Sequence, residues 1–375
     1  GPSAGLILAD LGADVIKVEP APDGDKTRRL HGFAAGFFGG FNRNKRGFAA
    51  DLKSDEGRAA VHKLLQTADV VIENYAPGTV EKLGCGYEDC KRLNPRIIFC
   101  ALKGFLSGPY ENRLALDEVV QYMAGLAYMT GPPGRPLRAG ASVVDIMGGT
   151  YAVLGIMAAL RDRDRTGEGQ LVKSALFEST AFLMTQHLVG GAVTGTEQPP
   201  MPGRVGAWAV YETFETKDEQ RIFIGLTSDN HWRRYCEKFE RPDLLVDPSL
   251  KTNEDRVKAR DVTLPIVAEI TRRYTLAEML QICEEIEIPF SNVARPEDLT
   301  DDPQLNADGR MLEVELENAP VTKVPRLPVE IGDHDLKLRM QPPKIGEHTR
   351  EILAELGYDD SAIDRMNGAG TIVTR

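Results

Sequence analysis

Apolar and polar positions follow two different periods along the first hundred residues. Residues 54–68 carry apolar side chains at helical spacing behind Ser54 and two acids, which predicts a capped amphipathic helix. A second helix is predicted over residues 87–93, where Pro95 follows its end. Short apolar runs typical of strands buried on both faces lie at residues 13–19, 69–74 and 96–104. This alternation predicts βαβ units, and therefore an α/β domain with a parallel sheet.

The rest of the chain predicts a second, smaller unit. A mainly apolar helix is predicted over residues 117–130, and a Pro/Gly-rich connector lies at 194–207. A β-hairpin with a polar turn at 217–220 follows, and then helices at 230–240, 253–273 and 275–287. We therefore predict a Rossmann-like large domain over residues 1–200, a small α+β domain over 201–315, and a C-terminal return over 316–375 that packs on the large domain. The chain opens with a helical pattern, so a leading strand is expected upstream of Gly1.

Composition narrows the possible classes of function. A net charge of −11 and a pI near 5.2 argue against nucleic acid as a partner. The five cysteines show no CxxC pair and no spacing suited to a metal, which favours reduced thiols in a cytoplasmic protein without a metal site. No apolar run approaches the roughly 18 residues of a membrane span. Neither GxGxxG nor GxxxxGK[ST] occurs, so a nicotinamide or P-loop enzyme is not expected, and we predict no permanently bound cofactor.

Local positive charge stands out in this acidic chain. Between residues 26 and 53 there are seven basic side chains and one acid, Asp51. The basic residues are Lys26, Arg28, Arg29, Arg43, Lys45, Arg46 and Lys53. They form either a solvated basic face or a site for a phosphorylated ligand, to which Lys82 and Lys103 would contribute from the ends of later strands.

One carboxylate, Asp145, interrupts the apolar stretch 143–160 at the start of a predicted helix. The residues themselves favour a helix N-cap, because an aspartate there accepts hydrogen bonds from free backbone N–H groups. A catalytic carboxylate at the same position is the alternative.

Several blocks in this order resemble the class III (CaiB/BaiF-type) CoA-transferase family, and the similarity extends over essentially the whole chain. The blocks are DLGADVIKVEP, NRNKRGFAADLKSDEGR, DVVIENYAPGTVEKLGCGYE, NPRIIFCALKGFLSGPY, ALRDRDRTGEGQLV and GEHTREILAELGY. The resemblance implies a CoA-transferase whose substrates are an acyl-CoA and a free carboxylic acid. It also implies a homodimer of two interlocked chains.

The resemblance assigns the nucleophile of the family to Asp145. This carboxylate would attack the thioester to give an aspartyl anhydride, and the returning CoA thiolate would give an aspartyl-CoA thioester. Gly148 and Gly149 would let backbone and substrate approach closely. Family contacts to CoA are carried over to Lys53, Asn74, Tyr75, Lys82 and Lys103. Further family site residues lie in the loop that precedes the first Gly-Pro of this chain.

Other activities remain open beside the transferase. Racemases of the family place a His-Asp pair at the entry of the 117–130 helix, where this chain has Leu116 and Asp117. Without the imidazole a two-base mechanism lacks one base, which favours a transferase. Asp117 is then either a second carboxylate of the site or a helix cap. A CoA-binding paralogue without catalysis is the third alternative.

Two arginines suggest the class of substrate. Arg135 and Arg138 lie shortly before Asp145, and a guanidinium there could hold the distal carboxylate of a dicarboxylic acid. The local sequence around these arginines also resembles that of family members that act on succinyl-CoA or mesaconyl-CoA. We therefore predict a C4–C5 dicarboxylate CoA-transferase, with transfer between the two carboxyl groups of one acid as a variant.

Overall fold

The computed structural model describes residues 1–204, 206–317 and 319–375. These residues form two compact units. The large unit contains residues 1–203 and 303–375, and the small unit contains residues 204–302. The first boundary between the units, at residues 203 and 204, lies close to the predicted boundary at residue 200. The second boundary, at residues 302 and 303, comes earlier than the predicted boundary at residue 315, so residues 303–315 belong to the large unit.

The large unit alternates helices and strands along most of its length. Its strands are β1 (Val15–Glu19), β2 (Lys45–Ala50), β3 (Val70–Glu73), β4 (Ile98–Lys103) and β5 (Leu171–Ala175). Its helices up to residue 203 are α1 (Pro2–Asp10), α2 (Phe37–Phe41), α3 (Asp55–Thr67), α4 (Thr79–Lys82), α5 (Tyr87–Leu93), α6 (Asp117–Met123), α7 (Leu126–Thr130), α8 (Val143–Thr166), α9 (Leu176–Leu183) and α10 (Thr185–Thr194).

The small unit follows, and the chain then returns to the large one. The small unit contains β6 (Val210–Glu215), β7 (Arg221–Leu226), α11 (Asp229–Lys238), α12 (Pro242–Val246), α13 (Asn253–Lys258), α14 (Arg260–Thr271), α15 (Leu276–Glu285) and β8 (Phe290–Asn292). The return contains α16 (Pro303–Asn306), β9 (Met311–Val314), β10 (Thr322–Pro325), α17 (Thr349–Glu355), α18 (Asp360–Gly368) and β11 (Ile372–Val373).

Parallel strands dominate the two main sheets of the large unit. In one sheet β4 lies between β3 and β5 and pairs with both in parallel. In the other, β2 pairs in parallel with β1 and antiparallel with the C-terminal β11. Phe48 of β2, Phe99 of β4 and Ile352 of α17 share one hydrophobic core. The α/β prediction is confirmed, and the end of the chain packs on the large unit.

Local signals located several helices correctly, and one was misread. Ser54 caps α3 by accepting a hydrogen bond from the Gly57 N–H at 3.0 Å. The predicted helix over 117–130 is in fact α6 and α7, which is a correction. Gly125 separates them at a φ of +87°, a left-handed conformation that an α-helix cannot contain and that glycine adopts easily.

The central helix α8 also corrects an expectation. By length and composition alone this 24-residue helix is apolar enough to cross a membrane, although no such run was expected. The interior helix of a folded domain passes the same test. Here α8 packs against α1, β4 and β5, with Ala152 and Ile156 fully buried.

The small unit is an antiparallel sheet packed against helices. The predicted hairpin is β6 and β7, and β8 adds a third antiparallel strand beside β7. The predicted helix over 253–273 is divided at Ala259 into α13 and α14. Trp232, Tyr235 and Met279 fill its core with the sheet.

Candidate active site

Asp145 is the third residue of α8, and another aspartate caps this helix. Oδ2 of Asp117 accepts hydrogen bonds from the N–H groups of Val144 and Asp145, at 3.0 and 3.1 Å. Ser142, the residue before the helix, makes no capping bond with its side chain. Asp117 therefore satisfies the free N–H groups from a distant position in the sequence. The interpretation of Asp145 as the N-cap, which the local sequence favours, is wrong.

The carboxylate of Asp145 is left available for chemistry. It is exposed to solvent, and no hydrogen bond to it is found within the described residues. Its main chain is well held, because the Ser3 hydroxyl donates to the Asp145 carbonyl oxygen at 3.1 Å. The positive end of the α8 dipole favours a negative charge here.

Two opposing influences act on the pKa of Asp145. The pKa is raised, mainly by desolvation from the surrounding protein and then by repulsion from Asp117. Arg138 acts in the opposite direction and favours the carboxylate. Although solvent reaches the side chain, the crowded surroundings make it a more basic carboxylate than an ordinary aspartate.

Asp117 itself is almost completely buried, with 8% of its surface exposed. Its Oδ1 accepts a hydrogen bond from Nε2 of Gln121 at 2.5 Å. Oε1 of Gln121 in turn accepts from the Ala139 N–H at 2.8 Å. The start of α6 and the loop before α8 are thereby connected through one carboxylate and one amide.

The two predicted arginines occupy different surroundings. Nη2 of Arg138 lies 3.6 Å from Oδ1 of Asp117 and donates to the Ala141 carbonyl at 3.2 Å. The Arg138 guanidinium also lies 5.6 Å from the ring centroid of Phe33. Arg135 is exposed in a turn closed by its N–H on the Pro132 carbonyl. The structure therefore brings Arg138, and not Arg135, to the pair of aspartates.

Gly148 and Gly149 are buried by neighbouring helices. A Cβ atom on Gly149 would lie 2.1 Å from Oγ of Ser3, so α1 could not approach α8 with a larger residue there. A Cβ on Gly148 would lie 3.0 Å from a methyl group of Leu176. Helix packing accounts for both glycines, and their contact with substrate stays a prediction.

Three of the predicted CoA residues meet where β3 and β4 end. Asn74 and Tyr75 directly follow β3, and Lys103 is the last residue of β4. Nζ of Lys103 lies 2.7 Å from Oε1 of Glu73 and donates to the Tyr75 carbonyl at 2.9 Å. The Tyr75 N–H donates to Oε2 of Glu73 at 3.0 Å. Lys103 thus holds the loop after β3, in addition to any contact with CoA.

The two other lysines predicted to bind CoA lie on the surface. Lys53 is exposed just before α3, and Lys82 is exposed at the end of α4. Both side chains are accessible to a phosphate group.

Most of the basic cluster over 26–53 serves the fold. Four of its seven members have largely buried side chains that are paired inside the large unit. Burial lowers the pKa of Lys45 to about 7. The contacts join Arg28 to Glu19, Arg43 to Asp10, Arg46 to Asp14, and Lys45 to the carbonyl oxygens of Pro2 and Phe41. The interpretation as one phosphate site, or as one solvated face, is wrong for these four residues.

Sequence reasoning missed Gln121 and Phe33. Gln121 lies one helical turn after Asp117, and this spacing could have identified it. Phe33 carries no local signal, because only the folded chain brings it to Arg138. All five cysteines are buried and unpaired. In the part of the chain that the structure describes, no group of three His, Cys, Asp or Glu side chains could hold a metal.

Comparisons with known proteins identify the family of the chain. The sequence model of CoA-transferase family III matches residues 1–349. An acyl-CoA transferase of Fusarium pseudograminearum is 36% identical, over 99% of this chain and 85% of that protein. A succinate–glutarate CoA-transferase of Agrobacterium fabrum is 35% identical, over 95% of this chain and 92% of its own. A solved CaiB/BaiF family structure from Brucella suis matches with a TM-score of 0.84 at 33% identity, over 95% of both chains. The chain therefore belongs to CoA-transferase family III, whose enzymes use CoA thioesters as substrates.

Proposed function

We propose that this protein moves CoA between an acyl-CoA thioester and a C4–C5 dicarboxylic acid through covalent intermediates on Asp145. One observation carries the proposal. The Asp145 carboxylate is exposed at the positive end of α8, free of the capping role that Asp117 performs. A carboxylate held in this way can act as a nucleophile.

The chemistry needs only this carboxylate and the two substrates. Asp145 attacks the thioester carbonyl and the C–S bond breaks. CoA departs as the thiolate, and the acyl group and Asp145 form a mixed anhydride. The thiolate then attacks the Asp145 carbonyl of the anhydride, which releases the first acid and forms an aspartyl-CoA thioester. The acceptor carboxylate attacks this thioester and displaces the thiolate again. Attack of the thiolate on the acceptor acyl carbon finally releases the new acyl-CoA and restores Asp145.

Arg138 supports the choice of a dicarboxylate. Its guanidinium lies beside the aspartate pair, where it can bind a second carboxylate of the substrate. The name of the A. fabrum relative contains one C4 and one C5 dicarboxylate. Transfer between the two carboxyl groups of one acid fits the same arrangement.

CoA would extend from Asp145 to the ends of β3 and β4. Asn74 and Tyr75 lie there, with Tyr75 partly exposed and able to stack on a planar group. Lys53 and Lys82 supply exposed positive charge for the phosphates.

We also propose that the protein is a homodimer. Large apolar side chains lie exposed in a stripe along α8, at Ile146, Leu154 and Met157. Phe182 on α9 and Leu188 on α10 are also exposed. Exposed large apolar side chains of this kind are typical of an interface, and the family resemblance implies a second copy of this chain.

The racemase alternative has less support. Leu116, which occupies the position of the racemase histidine, is an exposed aliphatic residue and offers no group for proton transfer.

Labelling of Asp145 tests the proposed mechanism. The full-length protein is incubated with succinyl-CoA, with and without hydroxylamine, and its peptides are mapped by mass spectrometry. We expect an acyl or CoA adduct, or its hydroxamate, on the peptide that contains Asp145. Asp145→Asn should abolish both the adduct and turnover, whereas Asp164→Asn, in the last turn of the same helix, should retain them. If no residue becomes modified with any of a panel of acyl-CoA esters, the protein is a racemase or a CoA binder without catalysis.

A further inference from the structure

Gln121 lies at the centre of the contacts that support the site. Its side chain is fully buried on α6, one turn after Asp117. Both ends of the amide are engaged, since Nε2 donates to Asp117 and Oε1 accepts from the Ala139 N–H. The amide therefore has one orientation, which neither a carboxylate nor an alkyl side chain could reproduce at neutral pH.

Gln121 decides how the two oxygens of Asp117 are used. Oδ1 receives the Gln121 amide at 2.5 Å, and Oδ2 receives the two N–H groups that begin α8. Arg138 approaches the same Oδ1 only to 3.6 Å, which is outside hydrogen-bond distance. Because the amide occupies this oxygen, Arg138 does not form a bidentate ion pair with Asp117.

We infer that Gln121 is a positioning residue of the transferase site. It holds the Asp117 carboxylate directed at the first turn of α8, and this fixes the position of Asp145. The inference rests on the proposed role of Asp145 as nucleophile.

Loss of the amide should change both the geometry of the cap and the repulsion on Asp145. The Asp117 carboxylate would lose a charge-assisted hydrogen bond and would be free to turn away from α8. Repulsion on Asp145 would then fall, and with it the raised pKa of that carboxylate. The rate of acylation would decrease because the cap of α8 is no longer fixed. The decrease of this rate at acid pH would begin at a lower pH than in wild type.

Two variants and a pH series test this inference. The rate at which succinyl-CoA acylates Asp145 is measured in wild type, Gln121→Met and Gln121→Glu. Samples are quenched rapidly at successive times and analysed by mass spectrometry. We expect Gln121→Met to slow acylation roughly tenfold or more, with little change in the KM for succinyl-CoA. In Gln121→Met, the fall of the acylation rate at acid pH (the acid limb of the pH–rate profile) should shift to lower pH. Asp117→Asn should shift it in the same direction, because it removes the neighbouring charge directly.

Gln121→Glu should show a distinct rescue. Protonated glutamic acid can donate to Oδ1 of Asp117 and accept from the Ala139 N–H, so it restores both bonds at low pH. As pH rises, the acid ionises beside Asp117, and the rate relative to wild type should fall. Gln281→Glu is the matched control, because Gln281 donates to Glu285 across one turn on the exposed face of α15. Its rate should equal that of wild type at every pH.

Three outcomes would contradict the inference. The first is wild-type rates and acid limbs in both Gln121 variants. The second is a lower melting temperature with an unchanged acylation rate per folded molecule. The third is wild-type protein that is not acylated at Asp145, which would remove the proposed function itself. Acylated wild type with unaffected variants would remove the role of Gln121 alone.

Discussion

At the scale of residues, two aspartates close together divide two tasks. Asp117 is buried and caps α8, while Asp145 is exposed and carries no capping bond. Desolvation, and then repulsion from Asp117, raise the pKa of Asp145, which makes its carboxylate more basic and its ionised fraction smaller at acid pH. Turnover should therefore fall as pH decreases through this raised pKa, because the proposed mechanism requires Asp145 in its ionised form.

Arg138→Ala should separate dicarboxylic from monocarboxylic acceptors. Loss of a charge-assisted hydrogen bond to the distal carboxylate should raise the KM for a dicarboxylic acid roughly 10- to 100-fold. The KM for a monocarboxylic acid should change much less. Arg135→Ala is the matched control, because Arg135 is exposed in the same loop. If Arg138→Ala leaves the KM for the dicarboxylic acid and the KM for the monocarboxylic acid both unchanged, this arginine is not the specificity residue.

At the scale of elements, the ends of β3 and β4 are connected by a largely buried ion pair. Glu73 is 5% exposed, and its partner Lys103 also binds the backbone after β3. The pair orders the loop that presents Asn74 and Tyr75. A role in stability thus accompanies the proposed contact with CoA.

Lys103→Ala should destabilise the fold, by about 3 kcal/mol, because it leaves the buried Glu73 carboxylate without a cation. Urea unfolding of the variant measures the loss. Lys82→Ala, on the exposed end of α4, should change the free energy of unfolding by less than about 0.5 kcal/mol while it raises the KM for acyl-CoA. The double variant Lys103→Met/Glu73→Gln should recover part of the stability, since it removes the uncompensated charge. Unchanged unfolding of Lys103→Ala would disprove the structural role of the pair.

At the scale of the whole molecule, the exposed apolar side chains along α8 form the surface that we propose as the dimer contact. Leu154 is 60% exposed in the middle of the α8 stripe, on the side of the helix opposite its packed face. A second copy of the chain would bury this surface and gain free energy from it.

Leu154→Glu should convert the proposed dimer to a monomer, because it places a charge within the apolar contact. Sedimentation equilibrium at micromolar concentration gives the molar mass. Val246→Glu, at a 79% exposed aliphatic position of the small unit, should leave the mass at twice that of the chain. A wild-type protein of 41.2 kDa in solution would contradict the homodimer.

Strand β2 shows where prediction from local sequence stops. It was not predicted as a strand, because it opens with Lys45 and Arg46, which are charged residues that rarely enter a sheet interior unpaired. In the fold, backbone carbonyls surround Lys45 and Asp14 pairs with Arg46. The two-residue strand β11 likewise pairs with β2 from the other end of the chain, so its position in the sheet depends on long-range contacts.

The sequence by itself determined the elements whose signals are local. The cap at Ser54, the bounds of α5 and the position of Asp145 at a helix start all depend on residues within a few positions of each other. Only the tertiary structure decided that Asp117 caps α8, that Gln121 connects Asp117 to the backbone of Ala139, and that Arg138 lies beside Asp117. These contacts join groups far apart in sequence, and their partners are chosen by how the helices pack. Hydrophobic periodicity fixes which face of a helix is buried, whereas the pairing of buried polar groups depends on what that face meets.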